Sequence, residues 1–121
     1  MLPHILGRRS EDVACDYLVA RGWQLLERNY RAGRKEIDII ARKAAVVAFI
    51  EVKARAGPQY GHPLTAITWK KRREVAYVAQ VWIERHGERI LDYRFDAIAV
   101  SWSGSSHTLE HVENAWRIEL R

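Results

Sequence analysis

The chain has a single cysteine, Cys15, among its 121 residues, so it can form no intramolecular disulfide and no Cys-x-x-Cys metal knuckle. That scarcity fits a reducing compartment. Three prolines and seven glycines leave no proline- or glycine-rich linker, and no internal repeat or low-complexity tract is present. Long apolar runs are also missing. The longest covers seven residues, 44–50, which suits a strand and falls far short of the ~18 residues of a membrane span. Residues 1–7 are too short for the apolar region of a secretory signal, and acidic residues follow them. A cytoplasmic location without membrane association is the expectation.

What is present belongs to an ordinary globular protein, 48% apolar and 29% charged. At this length residues 1–121 make one domain with one core. Twenty basic residues against fifteen acidic ones give a net charge of +5. Fifteen of the basic residues are Arg and five are Lys. Arginine suits planar, bidentate contact with phosphate, so the balance leans towards a polyanionic partner.

Hydrophobic spacing predicts a helix over residues 8–21, with Val13, Ala14, Tyr17 and Leu18 on one stripe, Ser10 as a candidate cap and Gly22 as the stop. Three strands are predicted at 23–30, 36–42 and 46–53, joined by short turns and therefore simplest as an antiparallel meander. The third is apolar on both alternating faces, as a central strand would be. A loop over 54–65 carries two glycines and two prolines. A long helix then runs from a Thr68 cap to Gly87, followed by a strand at 93–102 and an edge strand at 108–112. The order α-β-β-β-α-β-β puts a helix between the third and fourth strands. Those two can then pair in parallel, giving an α/β fold with a mixed sheet between helices.

Asp38, Glu51 and Lys53 carry the chemistry. Glu51 and Lys53 share one face of the third strand because side chains alternate. Whether Asp38 joins them depends on the hairpin register. One simple register sets Asp38 directly opposite Glu51, a second makes them diagonal, and a third puts them on opposite faces. Two carboxylates that close repel each other and call for a compensating charge. A hard divalent cation supplies one with oxygen ligands, and the Val52 carbonyl is a further candidate oxygen. Lys53 then lies near a nucleophilic water or a phosphate oxygen.

Glu11 shares the inward stripe of Ala14 and Leu18, a costly place for an unpaired carboxylate. Lys70, Lys71, Arg72 and Arg73 crowd the first turns of the second helix, where cations oppose the helix dipole unless an anion such as a phosphate backbone docks there. Arg55 follows the Glu-x-Lys segment.

In this ordered set the chain resembles the PD-(D/E)-x-K, restriction-endonuclease-like nuclease superfamily, and more closely the YraN-type family of small bacterial proteins. The landmarks are Gly7-Arg8-Arg9-Ser10-Glu11, Glu36-Ile37-Asp38-Ile39-Ile40-Ala41, Phe49-Ile50-Glu51-Val52-Lys53-Ala54-Arg55, Tyr60-Gly61, Thr68-x-x-Lys71, Arg94-Phe95-Asp96 and Asn114-Ala115-Trp116. The resemblance implies a restriction-endonuclease-like α-β-β-β-α-β core. It also implies Mg²⁺ (or Mn²⁺) held by Asp38 and Glu51, with Lys53 assisting the water and Glu11 supporting the metal. The chain departs from the family pattern at Lys35, where glycine is usual, and at Ala54, where threonine is usual.

The leading expectation is a Mg²⁺-dependent nuclease acting on DNA, with branched or damaged DNA, as junction resolvases take, among its candidate substrates. A non-catalytic nucleic-acid-binding module is the alternative. A third is an interaction or assembly subunit, including a homodimer, anchored by Trp69, Trp102 or Trp116. His107 and His111 share a strand face about 13 Å apart, too far for one metal, so no zinc site is assigned. Cys15 reads as a packed thiol rather than a nucleophile.

Overall fold

The computed structural model describes residues 3–56, 67–87 and 91–118. Most of the loop expected over 54–65, with the Tyr60-Gly61 landmark, lies outside the described residues.

Helix α1 (Pro3–Ala20) starts earlier than the sequence pattern predicts. Pro3 suits a first helical position because its fixed φ is helical and its missing N–H would have had no partner there. Ser10 is therefore no cap. It is buried inside the helix, and its hydroxyl accepts the Trp102 indole N–H at 2.8 Å. The C-terminus closes as expected at Gly22, which takes φ +89. There the Trp23 amide donates to the Leu18 carbonyl and the Gly22 amide to that of Val19, each at 3.0 Å.

Strands β1 (Gln24–Ala32), β2 (Lys35–Lys43) and β3 (Val46–Ala56) form the expected meander. Helix α2 (Trp69–His86) leads to β4 (Asp92–Ser103) and β5 (Ser106–Trp116). The last strand is longer than predicted at both ends. The sheet order is β1-β2-β3-β4-β5, with β3 and β4 parallel and the other neighbours antiparallel. The expected α-β-β-β-α-β core with a mixed sheet is present, with β5 added at the edge.

The two helices lie on opposite faces. Ala14 and Leu18 of α1 pack on Ile39, Ala48, Ile50 and Ile98. Val75, Val78 and Trp82 of α2 pack on Ile40, Val47, Phe49 and Phe95. Strand β3 is thus buried on both sides, which explains why its sequence is continuously apolar.

Two local devices fix α2. The Thr68 hydroxyl accepts the Lys71 amide at 3.1 Å and caps the start. At the other end Gly87 has φ −72, so a left-handed backbone is not what selects glycine. The reason is space: an added Cβ would lie 2.5 Å from the Ile83 carbonyl oxygen and 2.7 Å from the Tyr93 hydroxyl.

Candidate metal and nucleic-acid site

The β2–β3 turn decides the register. Ala44 adopts φ +53, and Lys43 pairs with Val46, so Ala44 and Ala45 alone make the turn. The ladder then runs regularly from Lys43↔Val46 to Ile39↔Ile50 and stops. Of the three registers open to the sequence, this one sets Asp38 directly opposite Glu51. Beyond that point β2 stays with β1, through pairs down to Ala32↔Lys35. Strand β3 stays with β4 as far as Ala56↔Trp102. The two central strands therefore part, and Asp38 and Glu51 stand at the fork.

The carboxylates replace the ladder bonds that end there. The Val52 amide donates to Asp38 Oδ2 at 2.8 Å, and the Asp38 amide donates to Glu51 Oε2 at 3.3 Å. Val52, a candidate carbonyl ligand from sequence, thus gives its amide to Asp38. Glu51 is only 2% exposed. Burial, then repulsion from Asp38, push its carboxyl up to about 8, against the pull of Lys71. Burial also raises Asp38, opposed by the Val52 amide and by the charges of Lys71 and Lys53.

Lys71 is placed differently from a phosphate contact. Its ammonium lies 3.4 Å from Glu51 Oε1 and 3.5 Å from the Glu36 carbonyl oxygen. Partial burial works against its charge, but Glu51 and Asp38 hold it above the ordinary lysine value. Arg72 is also engaged inside the fold, donating to the Ile67 carbonyl at 3.0 Å and lying over the Trp69 ring at 4.7 Å. Lys70 and Arg73 are exposed. The four cations of this helix start therefore divide into two that serve the protein and two that face solvent.

Glu11 on α1 lies within the field of Asp38. Its carboxylate accepts from Asn29 Nδ2 at 2.8 Å. Asn29 has φ +50, a conformation asparagine tolerates better than most residues. This kink aims consecutive residues of β1 at α1, because Arg28 also pairs with Asp12 at 2.9 Å. Burial and then the Asp38 charge push the Glu11 carboxyl up to about 7. Lys53 and Arg55, both half-buried, continue the Glu51 face of β3.

Among the described residues no group of three or more His, Cys, Asp or Glu side chains forms a ready-made metal cage. What the fork offers is smaller: two opposed carboxylates, each with one oxygen already on a backbone amide. Opposed carboxylate oxygens are the kind of donor that Mg²⁺ takes from proteins, although Glu51 Oε1 already faces the Lys71 ammonium at 3.4 Å.

One buried charged group stands in the sequence only as a family landmark, without a role. Asp96 is fully buried on β4 and accepts from Arg94 at 3.0 and 3.1 Å, from His111 Nε2 at 2.8 Å and from the Asn114 amide at 2.9 Å. Burial alone would raise its carboxyl, but the bonds from His111, Arg94 and Asn114 outweigh it and hold the group below the usual range. The β4–β5 register slips at this point, and Asn114 takes φ +50. Asp96 thus fills a bulge and ties β5 to the sheet. His111 Nδ1 in turn meets the Tyr17 hydroxyl at 3.0 Å. The signal in the sequence was an acid inside an otherwise apolar strand. His107 is exposed, whereas His111 is engaged with Asp96 and Tyr17. Cys15 is buried, and burial pushes its thiol up, as a packed cysteine requires.

Trp102 and Trp116 are core residues, whereas Trp69 is exposed. Among the described residues no helix is long and apolar enough to cross a membrane.

Comparison with known proteins places the chain. Residues 10–100 match the model of the uncharacterised protein family UPF0102. A UPF0102 protein of Chlorobium phaeobacteroides is 45% identical over 123 residues, covering 97% of each chain. One of Prosthecochloris aestuarii is 37% identical over 125 residues, covering 98% of each. Among solved structures, Pyrococcus furiosus SfsA in complex with Ca²⁺ aligns over 91% of this chain and 63% of that one, at 12% identity and a TM-score of 0.36, too distant to inform function. The family match over most of the chain, with relatives this similar over nearly full length, means that the protein belongs to UPF0102, the YraN family to which its motifs point.

Proposed function

We propose that the protein is a Mg²⁺- or Mn²⁺-dependent nuclease that hydrolyses phosphodiester bonds in DNA. The observation that carries this reading is the fork: Asp38 opposite Glu51, cross-bonded through Val52 and Asp38 amides, with Lys53 next on the Glu51 face. Asp38 and Glu51 would hold the cation and Glu11 would support it from α1. The cation, when bound, supplies charge neutralisation at the scissile phosphate and acidifies water.

The residues of the chain do the rest. Lys53 donates to a phosphate oxygen and offsets charge that develops in the transition state. Asn29 fixes Glu11 by its hydrogen bond. Lys71 keeps the paired carboxylates compatible with folding before a cation arrives. Arg55, Lys70 and Arg73 supply contacts to the phosphate backbone, a sequence-independent attraction that weakens with salt.

The test is cleavage of single-stranded, duplex, flapped and four-way DNA with Mg²⁺ or Mn²⁺. Glu51→Gln should abolish cutting, and Lys53→Met should reduce it by about 10²–10³-fold. Cutting that persists in the Glu51→Ala, Lys53→Ala double variant overturns the assignment.

A second reading, a binding module without catalysis, is favoured by one observation: Lys71 already stands 3.4 Å from Glu51 where a cation would be needed. It expects DNA binding that survives EDTA, no Mg²⁺ uptake by calorimetry and no cleavage of any structure.

A further inference from the structure

The apolar stripe of α2, from Val75 to Trp82, faces the sheet, so the opposite side of the helix looks outward. Trp69, Arg73 and Tyr77 recur there at four-residue spacing, with Lys70 beside them. Trp69 is 62% exposed and Tyr77 52% exposed, unusual for large aromatic side chains on a helix that has an apolar core to join.

Each ring is backed by a cation. The Arg72 guanidinium lies 4.7 Å from the Trp69 ring centroid, and the Lys35 ammonium lies 4.8 Å from that of Tyr77. Lys35 opens β2 beside the β1–β2 turn, and the nearby Arg31 of β1 and Arg34 of the turn are exposed as well. The Tyr77 contact makes turn and helix one continuous surface. Arg31 pairs with Glu36 at 3.2 Å, and Glu74 contributes to the field at Lys71, so the surface is not uniformly basic. Lys35, Lys70 and Arg73 are nevertheless exposed cations on this surface.

Two local costs coincide here. Cations in the first turns of a helix oppose its dipole, and exposed aromatic area forgoes burial. One class of ligand offsets both: a polyanion with accessible π-faces. Single-stranded nucleic acid is that ligand, since its bases stack on aromatic rings while its phosphates meet Lys and Arg. A duplex hides its base faces in its own stack. Trp69 and Tyr77 are eight residues apart, about 12 Å along the helix axis, far enough to engage different bases of one strand.

We infer that the exposed face of α2, with the β1–β2 turn, is a binding platform for single-stranded nucleic acid, stacking bases on Trp69 and Tyr77. The inference rests on the nucleic-acid reading of the fork and names the strand form that the site receives.

Fluorescence anisotropy in EDTA with the full chain tests it, using labelled oligothymidylate of about 20 nucleotides against a duplex of equal length. The single strand should bind at least about tenfold more tightly. The Trp69→Ala, Tyr77→Ala pair should lose about 10–100-fold on the single strand and little on the duplex, while the Trp69→Phe, Tyr77→Phe pair keeps most of the affinity. Equal affinity for both forms, or an alanine pair that binds as the parent does, overturns the platform. So does a dimer, seen by sedimentation, that the alanine pair dissociates, since this face would then join two copies. Because EDTA removes catalysis from the readout, strand-selective binding without any cleavage would sink the nuclease and leave the platform. Cleavage unaffected by the alanine pair would do the reverse.

Discussion

Asp38 and Glu51 face each other across β2 and β3, and each carboxylate takes an amide from the opposite strand: Val52 to Asp38 at 2.8 Å, Asp38 to Glu51 at 3.3 Å. The groups best placed for chemistry therefore also hold the fork together. Removing either as alanine orphans a backbone N–H and confounds structure with function. The isosteric amides Asp38→Asn and Glu51→Gln keep an acceptor oxygen and are the informative variants.

The first prediction concerns pH. Glu51 in the folded chain titrates at about 8 and Glu11 at about 7, both above the ordinary 4.5. Between those values the folded chain keeps protons that the unfolded chain has released. Their contribution to stability is thus complete below 4.5 and is lost as pH rises through 7 and 8. Melting temperature in EDTA should fall across this window, and Glu51→Gln should flatten the fall. Mg²⁺ should restore stability most at the alkaline end in the parent chain and not in Glu51→Gln. A parent profile flat across this window would contradict the environment assigned to both groups.

The second concerns Lys71. Lys71→Met leaves Glu51 without its cation. At about pH 6 Glu51 is mostly protonated and the loss should be small; at about pH 9 it should reach roughly 1–3 kcal/mol. Urea unfolding at both pH values, completed as a double-mutant cycle with Glu51→Gln, measures the coupling. Equal losses at both values would show that the Lys71 stem, rather than its charge, matters.

The third separates fold from site. Asp96→Ala leaves Arg94 and His111 without their buried carboxylate, and such losses cost about 3–5 kcal/mol. Asp96 is held below its ordinary 3.8, so its contribution is present above that value and disappears as pH falls through the folded-state value. The variant should be much less stable near neutrality and lose part of the acid sensitivity of the parent chain. Metal uptake by calorimetry, measured where the variant is still folded, should be unchanged.

The fourth tests the α2 terminus. Gly87→Ala meets a backbone oxygen at 2.5 Å and so forces the helix end or Tyr93 to move. A loss of about 1–3 kcal/mol is expected from such overpacking. At Gly33, by contrast, an added Cβ meets nothing within 4 Å, and only its φ of +64 opposes substitution. Gly33→Asn should therefore be tolerated better, as thermal melts of the two variants would reveal.

Much of this molecule is written locally. The double-sided apolar run of β3 announces a central strand, and Thr68 and Gly87 mark the ends of α2, because alternation and capping depend only on near neighbours. Strand alternation and helix spacing single out Asp38, Glu51, Lys53 and Glu11 as candidates, and the family motifs contain the same four. The start of α1 differs from the local pattern because Ser10 has the chemistry of a cap, whereas its hydroxyl is claimed by Trp102, a partner 92 residues away in the chain.

Three things were decided only in three dimensions. Register among the possible turns was settled by Ala44 taking a positive φ, which brings Asp38 and Glu51 face to face. Four consecutive cations read alike in sequence, but helix geometry turns Lys71 and Arg72 to protein partners and leaves Lys70 and Arg73 in solvent. Asp96, His111 and Tyr17 met across β4, β5 and α1. The reason is common to all three. Local pattern fixes which face a residue occupies, but a charge is defined by what lies across from it. Those partners are brought by strand pairing and helix packing over long separations in the chain.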